Sequence, residues 1–203
     1  MNRRISRGLT LASAVGLVAA TLVATPSLAA PCATYKPQEP MSDSENRAEA
    51  RTAKVVPVSE KYTESKPLVI DYEHGPAFWF LQDPRDAEGQ WGAVEDTKWF
   101  NIQLDTKAPD VGVYIRQQWE PNSPDDMDLF LYDKSGAQIA SSGELNLLGD
   151  IAPNAVSSGD GGPGYEQVLG LFGTRCQGIT IESRAFTSPG RPMQLVIWLG
   201  EIR

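Results

Sequence analysis

Cysteine and histidine are almost absent from this chain, with two of the first and one of the second in 203 residues. That pool excludes a structural zinc site, which takes four such ligands. Cys32 and Cys176 are far apart, so redox chemistry of the Cys-x-x-Cys kind is excluded too. Basic charge is scarce: 18 Lys and Arg against 26 Asp and Glu give a net charge of −8. Nucleic-acid binding needs a basic stripe, so nucleic acid is excluded as a partner, and anionic membrane surfaces would repel the chain. Long apolar runs are missing as well. The best one, Leu9 to Val23, is rich in Ala, Gly and Thr and falls short of the ~20 strongly apolar residues of a membrane span.

What is present begins with the layout of an export signal. Arg3, Arg4 and Arg7 precede the apolar stretch, no acid occurs before Glu39, and Ser27-Leu28-Ala29 makes a small-x-small cleavage site. Cleavage after Ala29 keeps Pro31 from directly following the cut bond. Residues 1–29 are therefore expected to be a signal peptide, and the mature chain to be secreted, with no membrane insertion after cleavage. Acylation of Cys32 is disfavoured by Pro31 in front of it. Losing three arginines and no acid takes the net charge from −8 to about −11. Solubility explains that acidity, and cations and basic partners remain open. In an oxidising compartment an even pair of cysteines predicts one disulfide, Cys32–Cys176. Closing so long a loop is worth up to ~5 kcal/mol by chain entropy, less any native strain.

Residues 30–66 are polar and proline-punctuated, and are expected to form an N-terminal arm. Within it, Ser42 and Glu45 fit a capping box for a short helix over Ser42 to Lys54. Its apolar positions are only Ala, which predicts a solvated element with little to bury. Period-two alternation takes over near Leu68. Phe100, Ile102 and Leu104 alternate with polar neighbours, as do Val111, Val113 and Ile115. Met127, Leu129 and Leu131 repeat the pattern, and Ile179-Thr-Ile181 and Met193-Gln-Leu195-Val-Ile197 flank a turn at 188–192. Such runs, separated by Pro, Gly, Asn and Asp, predict antiparallel strands. Residues 67–203 are expected to fold as one all-β domain, an antiparallel, jelly-roll-like β-sandwich.

Few residues carry chemistry. The glycine loop Gly159-Asp-Gly-Gly-Pro163 has the outline of a serine-protease nucleophile loop, but Gly161 stands where a hydroxyl is needed. His74, beside Gly75-Pro76, lacks the expected context. No Lys-Ser/Thr pair follows the glycines, so a phosphate cradle is excluded as well. Asp125, Asp126 and Asp128 are candidate calcium ligands, two of them on one strand face about 7 Å apart. The competing reading is that they cap a turn. Asp71, Glu73 and Asp160 would be candidates to complete a calcium set. The five tryptophans, Trp79, Trp91, Trp99, Trp119 and Trp198, could stack on sugar rings or anchor a protein partner, with core packing as the competing reading. Trp99 and Trp198 sit in strands and fit a core or sheet surface, while Trp91, in Glu88-Gly-Gln-Trp-Gly92, reads as a loop tip able to stack on a ligand. Glu166, after the glycine loop, is a candidate ligand-binding acid. Glycosidase chemistry would need a second carboxylate at a fixed separation.

The segment Asp126-Met-Asp128-Leu-Phe-Leu-Tyr132-Asp133, with Gly136 and Ser141-Ser142 following in order, resembles the pre-peptidase C-terminal domain. Trp99-Phe100 before a strand, and the closing strand from Met193 to Leu199, fit the same layout. The resemblance spans roughly residues 68–203, with its specific part under twenty residues. It implies a secreted β-sandwich module that helps an enzyme reach its substrate or aids secretion, in some members with calcium. No protease domain accompanies it here, so a targeting role is expected to act alone or through a non-covalent partner. The expected function is a non-catalytic accessory module for an extracellular protein or polysaccharide. The alternatives are a carboxylate-based secreted hydrolase and a structural envelope or matrix protein.

Overall fold

A computed structural model describes residues 30–44, 46–77, 96–119, 126–142, 154–157 and 165–201, with backbone only at 126, 154–157, 165–170, 186, 187 and 189. Residues 31–203 form one compact unit. The expected signal peptide, 1–29, lies outside the described residues.

The alternating runs become strands of two sheets, an all-β sandwich. The first sheet holds β1 (Val55–Val58), β3 (Pro76–Ala77), β4 (Asp96–Leu104), β6 (Asp126–Tyr132), β7 (Gln138–Ser141) and β10 (Gly178–Pro189). Its order is β1-β4-β10-β6-β7, with β3 beside the far end of β10. The second holds β2 (Leu68–Glu73), β5 (Asp110–Gln118), β8 (Asn154–Ser157), β9 (Tyr165–Thr174) and β11 (Pro192–Gly200), in the order β2-β11-β5-β9-β8. Inward positions meet in one core: Ile102, Leu104, Leu129, Leu131, Ile179 and Ile181 from the first sheet, against Val113, Ile115, Leu171, Leu195 and Ile197 from the second. Register enforces this, since Ile181 sits between Phe100 and Leu131, and a one-residue slip of β10 would turn its own apolar set outward.

The hairpin β6–β7 explains the motif that singled it out. Asp133 Oδ1 accepts from the Ser135 and Ala137 amides at 2.7 and 3.1 Å, tying the turn. Gly136 takes φ +83° there, a left-handed value that favours glycine. Ser142 Oγ accepts from the Leu129 amide at 2.8 Å. Each of these motif residues has a local structural job.

The polar segment before β2 differs most from expectation. It is a strap across the outer face of the first sheet, not a solvated arm. Its start is fastened by the disulfide Cys32–Cys176, at a turn where Cys176 itself has φ +66°. Tyr35 is buried against Gly178, where any Cβ would overlap its ring, and its hydroxyl bonds Thr180 Oγ1 at 3.0 Å. The strap then reaches the β6–β7 turn, where the Met41 amide donates to Gly136 O at 2.8 Å. It ends as β1, which runs parallel to β4. The expected helix is only a 3-10 turn, Arg47–Arg51, preceded by Asn46. Ser42 does not cap it: its oxygen accepts from the Ser44 amide at 3.1 Å and from Arg184 Nη2 at 2.8 Å, while its hydrogen goes to Glu182 Oε2 at 3.0 Å. The physical reason is competition: a cap needs the serine oxygen as acceptor, and a buried guanidinium and a nearer amide already occupy it.

Candidate functional site

Under the strap lies a polar cluster that folding has closed. Glu182 is 0 % exposed, and its Oε1 accepts from Arg184 Nε and Nη2 at 2.8 and 2.6 Å. Its Oε2 accepts from Tyr132 Oη at 2.6 Å and Ser42 Oγ at 3.0 Å, so both oxygens are fully used. Arg184 also pairs with Asp43 of the strap at 2.7 Å and lies over the Phe130 ring. The Arg184 hydrogen bond holds the Asp43 carboxyl below its ordinary range. Burial is the largest influence on Arg184 and pulls it down, but the charges and hydrogen bonds of Glu182 and Asp43 together outweigh it and the guanidinium is raised. Alongside, Asn101 Nδ2 donates to Ala50 O and Ala53 O at 2.7 and 3.0 Å. Trp99 Nε1 donates to Asn46 Oδ1 at 3.3 Å. Such a network holds the strap and offers nothing to a ligand.

Inside the sandwich sits an arrangement that the sequence did not reveal. His74 Nδ1 lies 2.8 Å from Asp96 Oδ2, and its Nε2 lies 2.7 Å from Ser183 Oγ. That is the order of carboxylate, imidazole and hydroxyl of a serine hydrolase. Burial opposes ionisation of Asp96, but the Gly75 amide, His74 and Lys98 outweigh it and lower the carboxyl. Yet His74 and Ser183 are both 0 % exposed. Ser183 Oγ bonds Gln117 Oε1, and Tyr72 Oη bonds both at 3.0–3.1 Å. Burial raises the Tyr72 phenol, and its ring meets His74 edge-on. A nucleophile needs a substrate carbonyl beside it; here Ser183 is enclosed by Tyr72, Gln117 and His74, and the cluster ties β2, β4, β5 and β10 together. Its members are 22 and 109 residues apart in sequence, so only register across the two sheets unites them.

The outer face of the second sheet is different. Gln118, Gln194 and Asp71 are direct neighbours across β5, β11 and β2. Gln118 Nε2 donates to Gln194 Oε1 at 2.7 Å, and Gln194 Nε2 donates to Asp71 Oδ1 at 2.9 Å. These residues line an open groove of about 380 Å³ with Trp119, Pro192 and Met193. Trp119 is half-buried, its ring packed on the cluster of Ala77, Met127, Ala185 and Met193. Further along the same face, Tyr114 stacks on Trp198 with centroids 5.3 Å apart, and Arg116 lies over that indole. Phe172 and Val69 are exposed large apolar residues there.

The expected site residues do not converge among the described residues. Asp125, Trp79, Trp91 and Asp160 lie outside them, as does Glu45 of the expected capping box. Asp126 and Glu166 are placed by backbone alone, Asp126 opposite Thr187 and Glu166 between Gln117 and Ser157. Asp128 stands opposite Arg184 in register, on the outer face of the first sheet. Asp71 and Glu73 are exposed on β2 of the other sheet, so they cannot share an ion with Asp128. No group of three metal-ligating side chains occurs among the described residues. The disulfide is formed as expected. Of the groove residues, Asp71 was a candidate for calcium and Trp119 for stacking, but Gln118 and Gln194 were missed, although polar residues at outward strand positions were their visible signal. No helix among the described residues is long and apolar enough to cross a membrane. No family model matches the chain, and no curated protein is similar to it.

Proposed function

We propose that the chain is a secreted, non-catalytic accessory module that binds an extracellular polysaccharide or protein through the open groove on the outer side of its second sheet. The observation that supports this reading is the contrast between two polar surfaces. The groups under the strap satisfy one another completely, while the Gln118–Gln194–Asp71 chain beside Trp119 opens to solvent. The export pattern of residues 1–29, the disulfide and the resemblance of the 126–142 hairpin to the pre-peptidase C-terminal domain fit the same reading. The module is expected to act alone or beside a separate enzyme. Capture of a discrete partner from culture supernatant and cell-wall fractions tests it, and a matrix protein without a ligand would capture none. A broad hydrolase screen with Glu166→Gln as control tests it from the other side. Turnover that disappears in that variant would overturn the binding reading in favour of a carboxylate-based hydrolase.

Calcium belongs to the proposal only through Asp125, Asp126 and Asp128. Asp128 faces the Arg184 strand position, and a fixed guanidinium competes with a bound cation. If the aspartates nonetheless hold calcium, the melting temperature rises in millimolar calcium and Asp126→Asn/Asp128→Asn abolishes the rise. An unchanged melting curve removes calcium from the account.

A further inference from the structure

We propose that the groove between Asp71, Gln118, Trp119 and Gln194 is a binding site for a neutral polysaccharide, with one pyranose ring stacked on Trp119. The inference rests on the reading of the chain as a binding module and names its site and ligand class. Its first support is hydrogen-bonding capacity. The cross-strand chain uses one hydrogen of the Gln118 amide, one hydrogen and the oxygen of the Gln194 amide, and one Asp71 oxygen. Among the described residues, the side-chain carbonyl oxygen of Gln118, the second Asp71 oxygen and a second hydrogen on each amide remain unused. Alternating donors and acceptors of this kind, held in line by neighbouring strands, suit vicinal sugar hydroxyls, each of which both donates and accepts.

The second support is Trp119. Its side chain lines the groove and is held by packing on Met193 and the cluster around it, so a ring that stacks on it costs little side-chain entropy. An aromatic plane beside polar groups matches a pyranose, which has an apolar C–H face and a hydroxyl rim. The groove, about 380 Å³, falls at the lower end of the usual range for ligand sites, and it is open, which a polymer requires. Charge chooses among polymers. With a net charge of −8 before any signal is lost and the Asp71 carboxylate in the groove, a uronic-acid or sulfated chain is repelled. A neutral chain is not.

Retention of the full mature protein on cellulose, chitin and laminarin, with alginate as the anionic comparison, tests the site. The expected result is retention on at least one of the three uncharged polymers and none on alginate. Trp119→Ala and Gln194→Ala should each weaken that retention by roughly tenfold or more, as truncation of an anchor does, and Phe172→Ser should leave it unchanged. Trp119 contacts core residues, so melting temperatures are measured alongside. Should Trp119→Ala unfold, Gln194→Ala and Asp71→Asn decide, because both positions are outward-facing. Retention that survives these substitutions in folded protein overturns the site while leaving the module reading intact. No retention on any uncharged polymer, or equal retention on alginate, overturns the ligand class. Capture of a protein from culture supernatant in that same case would keep the module reading alive without this groove.

Discussion

The two outer faces of the sandwich are built from the same kind of strand and end up with opposite fates. On the first sheet, Asn101, Thr180, Glu182 and Arg184 point outward and are buried, because the strap lies across them and supplies Ser42, Asp43 and the carbonyls of Ala50 and Ala53. On the second, Asp71, Gln118 and Gln194 point outward and line an open groove. Polar residues on a strand face therefore do not by themselves mark a functional surface. What separates the faces is whether another segment has already taken their hydrogen bonds.

The sharpest way to break this contrast is Glu182→Gln. It takes from Arg184, 5 % exposed, its buried counter-charge and leaves it the solvent-facing Asp43, so the loss approaches the ~3–5 kcal/mol typical of unpairing a buried ion. A urea midpoint that barely moves would mean that the network does not hold the strap. Next comes Cys32→Ser/Cys176→Ser. Removing a cross-link across 144 residues is expected to cost about 2–4 kcal/mol. It should also open the strap to limited proteolysis while the far-ultraviolet strand signal persists. Equal protease resistance with and without the disulfide would show that the hydrogen bonds alone suffice.

A smaller effect, and one that depends on pH, is expected at Asp96. Its folded carboxyl lies below the ordinary value of 3.8, so its contribution is complete above that value and is lost as pH falls through the folded value. Asp96→Asn should cost about 1.5 kcal/mol near neutrality through weakened bonds to Gly75 and His74, and should flatten the acid limb of a stability–pH profile. The strap would be spared, since His74 and Ser183 lie on the other side of the sheet. An acid limb identical to that of the parent would place the titration elsewhere, at Asp43 or Asp133, whose carboxyls are also lowered.

Much of the first sheet was legible from alternation. Ile102, Leu104, Leu129, Leu131 and Ile181 face the core as period two requires. The same alternation assigned Asn101 and Glu182 to solvent, and that was incomplete. A strand pattern tells inside from outside but not whether the outside is covered. Residues 31–53 looked like a solvated arm because their apolar content is low. Their inner side is nonetheless packed, with Tyr35, Ser42, Ser44 and Ala50 buried, because the strap buries mostly hydrogen bonds, and low hydrophobicity does not reveal those. His74 was set aside for want of neighbours in sequence, and its partners came from two other strands.

Two things followed from the amino-acid sequence alone: the strand class, since period-two patterning admits no helix of comparable length; and the cysteine pairing, since two cysteines allow a single bridge. Tertiary structure decided which polar faces are shut and which stay open. That choice depends on contacts between residues more than a hundred positions apart, and local chemistry carries no record of them.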